Sequence, residues 1–99
     1  MKVIVGTPGS GKTKEILRLS ALNNVPVLCE TPTRVTRLLE KASGYGYQIP
    51  TPITKDEINE NVKAIYVDDV KVLLETLLNV ELDGFVINND EDVEITKLD

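Results

Sequence analysis

An eight-residue loop rich in glycine constrains the fold more than any other feature of this sequence. It reads Gly6-Thr7-Pro8-Gly9-Ser10-Gly11-Lys12-Thr13 and fits the pattern G-x-x-x-x-G-K-[ST] without a mismatch. The segment Lys2–Val5 before it predicts a strand, and apolar residues at helical spacing predict a helix from about Gly11 to Leu22. The loop therefore predicts a strand that turns directly into a helix, the opening unit of a layered α/β fold.

The residue types of this loop suit the binding of phosphate. Glycines let the backbone turn with its N–H groups inward, and the helix that follows directs the positive end of its dipole at the same anion. Lys12 can reach the β- and γ-phosphates of a nucleotide, and the Thr13 hydroxyl can ligate Mg²⁺. The residues predicted to bind the nucleotide are Gly6, Thr7, Pro8, Gly9, Ser10, Gly11, Lys12 and Thr13. The alternative is a strand-to-helix turn that matches the pattern by chance.

Beyond the loop, short apolar runs alternate with amphipathic segments, which predicts an α/β fold with a largely parallel sheet. A second helix is predicted to begin at Thr31 or Thr33 and to end at Gly44, and a third helix contains residues 70–78. Thr54 and Glu57 have capping-box spacing, which predicts a short helix that follows. Further strands are predicted at residues 25–29, 64–67, 84–87 and 93–98.

Composition sets the limits of this fold and its chemistry. A chain of 99 residues suffices for one domain, residues 1–99, and no linker divides it. Because there is no His and only one Cys, histidine base catalysis, His-ligated metals and an internal disulfide are excluded. Cys29 lies in an apolar stretch, which favours packing over nucleophilic chemistry. No apolar run is long enough to cross a membrane, so we expect a soluble, cytoplasmic protein without a membrane partner.

The net charge of -5 is divided unevenly along the chain. Residues 1–50 carry seven Lys and Arg against three Glu, whereas residues 51–99 carry four Lys against thirteen Asp and Glu. The acidic total disfavours non-specific binding of nucleic acid by the whole surface. A basic face on the first half remains compatible with phosphate ligands.

With Gly6–Thr13 as its Walker A motif, the sequence resembles the P-loop NTPases. Ile65-Tyr66-Val67-Asp68-Asp69 is similar to a Walker B motif, and the resemblance implies that Asp68 holds Mg²⁺. The alternative is that Asp68 or Asp69 caps the helix that follows. Pro8 is similar to the loop residue of AAA+ and phage ATPases, which implies a bacterial or phage-infected host cell. The family also implies ATP as the nucleotide, since no N-K-x-D motif for guanine is present.

The order of motifs resembles the branch of this family with a RecA-like core. It implies a three-layer fold with a five-stranded sheet in the order 5-1-4-3-2, counting the predicted strands from the N-terminus. By position, Asp69 becomes the carboxylate that activates water, and Asn88 becomes the sensor of the γ-phosphate. The branch usually has Glu where Asp69 stands, and Asp is shorter by one methylene, so the alternatives are that Asp69 is a slow base or that it is no base at all. Asn88 is also compatible with an ordinary turn.

The segment Val27–Arg34 is similar to part of the first domain of helicases, where a T-P-T-R-like stretch contacts single-stranded nucleic acid. The resemblance implies that a basic face contacts phosphates, and the alternative is a solvated helix face. Tyr45 and Tyr47 follow and could stack on bases or pack in the core. The residues of the predicted basic face are Thr33, Arg34, Arg37 and Lys41.

The sequence is compatible with three functions. The first is Mg²⁺-dependent binding and slow hydrolysis of ATP, stimulated by self-assembly or by a partner that supplies an arginine finger. Arg34 and Arg37 are the best donors of such a finger within the chain. The second is non-catalytic binding of a nucleotide as a structural or regulatory ligand. The third is a small-molecule kinase of the nucleoside type, because thymidine-kinase-like cores share this order of motifs.

Overall fold

The glycine loop, Gly6–Thr13, joins a strand to a helix as the sequence predicts. A computed structural model describes residues 1–99, and its elements alternate along the chain. None of its helices has the length and hydropathy needed to span a membrane. The elements are β1 (Lys2–Gly6), α1 (Lys12–Asn23), β2 (Val27–Cys29), α2 (Pro32–Tyr45), β3 (Ile53–Thr54), a 3₁₀ helix (Lys55–Glu57), β4 (Tyr66–Val67), α3 (Val70–Leu78) and β5 (Glu94–Leu98).

The first strand pairs with the last. β1 and β5 run parallel, with Lys2 opposite Glu94 and Gly6 opposite Leu98. Lys2 Nζ and Glu94 Oε2 form an ion pair of 2.9 Å across the two strands. This pairing confirms the predicted fifth strand and its place beside the first.

A second parallel sheet contains three strands in the order β3-β2-β4. Leu28 of β2 lies opposite Ile53 on one side and Val67 on the other. The neighbouring positions of β2 and β4 confirm that the second and third predicted strands are adjacent. The two-residue strand β3 is not predicted, because two residues are too few to show a period.

The prediction of one five-stranded sheet in the order 5-1-4-3-2 is wrong. Residues 84–87 form no strand and make no backbone hydrogen bond to another element. Phe85 and Val86 are 66% and 91% exposed. An apolar run indicates a strand only where a neighbouring backbone supplies donors and acceptors, and this run has none. The α/β class and its parallel strand pairing are confirmed, as two small sheets.

The core lies between α1, β2 and α2. Leu38 and Ala42 of α2 are buried, whereas Val35 on the same predicted stripe is half-buried and Leu39 is exposed. Ile4 of β1 and Tyr66 of β4 pack against this core, so both sheets rest on it. The buried cluster consists of Ile16, Leu17, Leu19, Val27, Cys29, Leu38 and Ala42.

The ends of α2 are fixed by local hydrogen bonds. Thr31 is the N-cap, and its side chain accepts from the Arg34 N–H at 3.3 Å. The predicted end at Gly44 is wrong, because the helix continues to Tyr45 and is capped by Gly46. The Tyr47 N–H then donates to the Ala42 carbonyl at 2.8 Å, which satisfies a carbonyl of the last turn. The Thr54 N–H donates to Glu57 at 2.9 Å at the predicted short helix, a single 3₁₀ turn.

Candidate functional site

The glycine loop adopts a backbone that few other residues could follow. Gly9 and Gly11 have φ values of 80° and 96°, in the left-handed region that favours glycine. The Ser10 N–H donates to the Thr7 carbonyl at 3.1 Å, which closes the turn. Gly11 is the N-cap of α1 and has no side chain to accept from the first N–H groups of the helix. Those N–H groups therefore have no capping side chain to compete with a ligand.

Gly6 lies where β1, the glycine loop and β5 approach one another. A Cβ atom at this position would come within 2.3 Å of Ser10 Oγ and 2.8 Å of the Leu98 carbonyl oxygen. Ser10 Oγ is buried and has no hydrogen-bond partner. Gly6 therefore permits a close approach between the loop and the β1–β5 pair that any larger residue would disrupt.

Lys12, the first residue of α1, folds back over the loop. Its ammonium group donates to the Thr7 carbonyl at 2.6 Å and also lines a cavity beside the loop. A carbonyl is a neutral acceptor, and an anionic oxygen forms a stronger charge-assisted bond. The ammonium group of Lys12 is thus held close to the loop by a contact that a phosphate oxygen could replace.

Opposite the loop, the end of β4 carries the acidic part of the site. Asp68 follows β4 directly and its side chain is only 10% exposed. The Thr13 hydroxyl donates to Asp68 Oδ2 at 3.2 Å, and the Arg34 guanidinium forms an ion pair with the same oxygen. The Tyr66 N–H donates to the Pro26 carbonyl at 3.0 Å, which fixes β4 beside β2. Residues from α1, α2 and β4 thus converge on one carboxylate.

These side chains surround a cavity of about 300 Å³. It brings together five of the residues predicted from the sequence, namely Lys12, Thr13, Arg34, Asp68 and Asp69. Asn88 does not line it, and no strand precedes Asn88, so the premise of the sensor prediction is wrong. Thr33, Arg37 and Lys41 are exposed on α2, outside the cavity.

The predicted basic face on α2 is wrong in one respect. Arg34 turns into the cavity toward Asp68, which leaves Arg37 and Lys41 as the exposed cations of that face. The Tyr45 and Tyr47 rings lie 5.8 Å apart between centroids, and Lys14 Nζ lies 5.4 Å from the Tyr45 centroid. Tyr47 also packs against the core, so it is a packing residue.

Asp69 has a structural function at the start of α3. It is the N-cap, and its Oδ1 accepts from the Val72 N–H at 3.2 Å. The sequence left open which of the two aspartates caps this helix, and the structure assigns the cap to Asp69. Asp69 also lines the cavity, so one carboxylate oxygen is engaged in the cap at the edge of the site.

Two cavity residues at the end of β2, Cys29 and Glu30, are not predicted to be functional from the sequence. Glu30 follows β2 as Asp68 follows β4, and ligands bind at the carboxyl ends of parallel strands. The position of Glu30 directly after a predicted strand is the sequence signal that could have identified it as a site residue. Cys29 is buried in the core, as predicted, and burial together with the Glu30 charge raises the pKa of its thiol to about 11. The thiol stays protonated at neutral pH and is a poor nucleophile.

The donor set of the cavity fits Mg²⁺. Thr13 and Asp68 offer a hydroxyl and a carboxylate, the hard oxygen ligands that this cation prefers. The structure has no cluster of three or more His, Cys, Asp or Glu that could hold a metal without a ligand. Mg²⁺ commonly takes one or two protein oxygens and completes its shell with waters and phosphate oxygens, so two protein donors suffice.

Comparison of the chain with protein-family models, with curated proteins and with solved structures finds no match. The function therefore has to be inferred from the chemistry of the cavity. Two cations, one hydroxyl and three carboxylates surround it, contributed by Lys12, Arg34, Thr13, Glu30, Asp68 and Asp69.

Proposed function

We propose that the chain binds Mg²⁺-ATP at the junction of the glycine loop and β4, and hydrolyses it slowly. One observation carries the proposal. The first turn of α1, which presents Lys12 and Thr13 behind the glycine loop, faces Asp68 across one cavity, with Thr13 Oγ1 3.2 Å from Asp68 Oδ2. Groups suited to phosphate and groups suited to a divalent cation thus lie side by side, as a metal-nucleotide requires.

The anion side of the proposed site is formed by backbone and one side chain. The left-handed glycines Gly9 and Gly11 and the uncapped start of α1 favour phosphate oxygens. Lys12 adds a full positive charge that is now held by a neutral carbonyl. Exchange of that carbonyl for a phosphate oxygen strengthens the hydrogen bond, because the acceptor becomes charged.

The cation side is formed by Thr13 and Asp68, which would hold Mg²⁺. When bound, Mg²⁺ would neutralise the charge of the β- and γ-phosphates. Thr13 and Asp68 approach from different elements, so they position a metal-nucleotide only while β4 stays beside β2. Together with the motif order, this arrangement supports a reduced P-loop NTPase core. The likeness of Pro8 to the loop of phage ATPases is what supports the cytoplasm of a bacterial or phage-infected cell as its location.

Slow hydrolysis follows from the position of Asp69. Its Oδ1 accepts the Val72 N–H as the cap of α3, so the orientation of this carboxylate is set by the helix and not by a water molecule. An aspartate is also shorter than the glutamate usual at this position, and a displacement of about 1 Å can cost ~10²-fold in rate. Fast turnover would need an arginine from a second copy or a partner, and Arg37 is exposed on α2.

A second candidate is non-catalytic binding of the same nucleotide as a structural or regulatory ligand. The engagement of Asp69 in the helix cap favours it, since the predicted base already has a structural function. A bound nucleotide would then stabilise the fold by mass action, by about 2.7 kcal/mol at a hundredfold excess over its dissociation constant.

Phosphate release from Mg²⁺-ATP by the purified chain tests the proposal, with Lys12→Ala as the blank. We expect turnover on the order of 10⁻³ s⁻¹ or less, yet above the blank. Single-stranded DNA is then added to the same assay. Faster phosphate release by wild type, and no such increase in the double variant Arg37→Ala with Lys41→Ala, would indicate that nucleic acid is a partner. Binding without turnover would favour the non-catalytic candidate. The absence of both binding and turnover would contradict the proposal.

A further inference from the structure

Arg34 lies at the carboxylate that the proposed function assigns to a metal, that of Asp68. Its guanidinium pairs with Asp68 Oδ2, and the Thr13 hydroxyl donates to the same atom. We propose that Arg34 is a positioning residue that competes with the divalent cation for Asp68. This inference rests on the proposed function, because it concerns how the metal of Mg²⁺-ATP gains access to its carboxylate.

The backbone of α2 places Arg34 at this carboxylate. Thr31 caps the helix by accepting the Arg34 N–H, so Arg34 belongs to the first turn, directly after β2. β2 and β4 are parallel neighbours, and their ends bring Arg34 and Asp68 to the same edge of the sheet. The position of the guanidinium is thus determined by the same cap and strand pairing that build the site.

Arg34 is the only cation that forms an ion pair with Asp68. Lys12, the other cation that lines the cavity, donates instead to the Thr7 carbonyl. The Arg34 and Asp68 side chains are 27% and 10% exposed, so water screens the pair only in part. An ionised Asp68 with so little exposure would destabilise the folded protein if it had no counter-charge nearby. Arg34 supplies that counter-charge.

The charge of Arg34 makes its pairing and metal binding mutually exclusive at this oxygen. A divalent cation bound to Asp68 would lie within a few ångströms of the guanidinium, and like charges at that distance repel strongly in a partly dry cavity. Binding of the metal to this oxygen therefore requires that Arg34 leave it. The released guanidinium remains in the cavity that holds Lys12, where a phosphate oxygen can accept its hydrogen bonds.

The proposal predicts how Mg²⁺ dependence changes in Arg34→Gln, which keeps an amide donor and removes the charge. The binding of a fluorescent ATP analogue is measured over a series of Mg²⁺ concentrations, starting in EDTA. We expect the Mg²⁺ concentration at half-effect to fall by about tenfold in Arg34→Gln, because one competing charge-assisted contact is lost. Arg18→Gln is the matched control and should behave as wild type, because Arg18 is exposed on α1, lies outside the cavity and pairs with Glu15 instead of Asp68.

Conservative replacement separates competition from a structural contribution. Arg34→Lys keeps the positive charge and should retain the wild-type Mg²⁺ dependence within about threefold. Thermal unfolding without ligand should show a lower midpoint for Arg34→Gln than for wild type, and Mg²⁺ with the analogue should raise that midpoint more in the variant. A merely structural contact would lower both midpoints equally.

Three results would overturn the inference. An unchanged or higher Mg²⁺ requirement in Arg34→Gln, with analogue binding intact, would contradict competition and leave the proposed function standing. Loss of folding in Arg34→Gln and in Arg34→Ala would show that the ion pair is needed for the fold itself. Failure of the wild-type chain to bind the analogue would overturn the proposed function, and the inference with it.

Discussion

Residues 1–50 and residues 51–99 differ in burial as well as in charge. Nine of the eleven buried residues lie in the first part, and only Pro52 and Leu73 in the second. The first part also carries the excess of Lys and Arg, and the second the excess of Asp and Glu. The first part therefore builds most of the core and the glycine loop, and the second part supplies two of the three carboxylates of the cavity, Asp68 and Asp69.

The two parts meet through a few specific contacts. β1 pairs with β5, and β2 pairs with β4. The Asn23 side-chain amide donates to the Tyr66 hydroxyl at 2.7 Å, which ties α1 to β4. Asp68 and Asp69 follow β4 directly, so their positions in the site depend on the contacts that hold β4 in place.

The largest expected difference between the two parts concerns stability. Leu17 is fully buried in the core, so Leu17→Ala should lower the free energy of unfolding by about 3 kcal/mol through lost burial and a residual cavity. Val86 is 91% exposed, and Val86→Ala should change the free energy of unfolding by less than about 0.5 kcal/mol. Urea unfolding followed by circular dichroism measures both.

A large loss of stability in Val86→Ala would break this comparison. It would mean that residues 84–87 are packed in solution, as the wrongly predicted strand would be. An equal loss in the free energy of unfolding for Leu17→Ala and Val86→Ala would likewise show that this segment is packed.

A smaller effect is expected where the two parts meet at the glycine loop. Gly6→Ala places a Cβ within 2.8 Å of the Leu98 backbone, which cannot move away without disturbing β5. We expect a loss of about 2 kcal/mol in the free energy of unfolding from this overpacking. Gly84→Ala is the matched control, because nothing lies within 4 Å of a Cβ there. A Gly6→Ala protein as stable as wild type would show that the loop and β5 are not in close contact.

The smallest expected effect separates the helix cap that Asp69 provides from its proposed function as a base. Asp69→Ala removes the α3 cap and should cost about 1 kcal/mol, whereas Asp69→Asn keeps a good cap and should cost almost nothing. If Asp69 also acts on water, Asp69→Asn reduces phosphate release to the level of the Lys12→Ala blank. Unfolding and phosphate release are measured on the same preparations. Full turnover in Asp69→Asn would exclude a function as base.

Local signals in the sequence predicted the helices well. α1 and α3 begin and end within about a residue of their predicted positions, because apolar spacing and caps are encoded next to one another. The sequence predicts the end of α2 at Gly44, yet the helix continues by one residue to Tyr45, and Gly46 is its cap. A glycine within a helix costs only about 1 kcal/mol, which capping contacts can offset.

Strand partners could not be predicted in the same way. Residues 84–87 and 93–98 both have apolar strand patterns, but only the second segment finds a neighbour, in β1. Pairing joins residues more than 90 positions apart, Lys2 with Glu94, and no local pattern encodes it. The same holds for the site: the motifs predicted Lys12, Thr13 and Asp68, while the contact of Arg34 with Asp68 depends on the strand pairing that brings α2 and β4 together.

Calorimetry of Mg²⁺-ATP binding tests the central claim most directly, with wild type, Lys12→Ala and Lys41→Ala measured side by side. Lys41 is exposed on α2, outside the cavity, so its variant is the control for loss of one positive charge. We predict equal affinity for wild type and Lys41→Ala, and affinity at least about 100-fold weaker for Lys12→Ala. Binding by Lys12→Ala as tight as by wild type, or no binding by any of the three, would contradict the account.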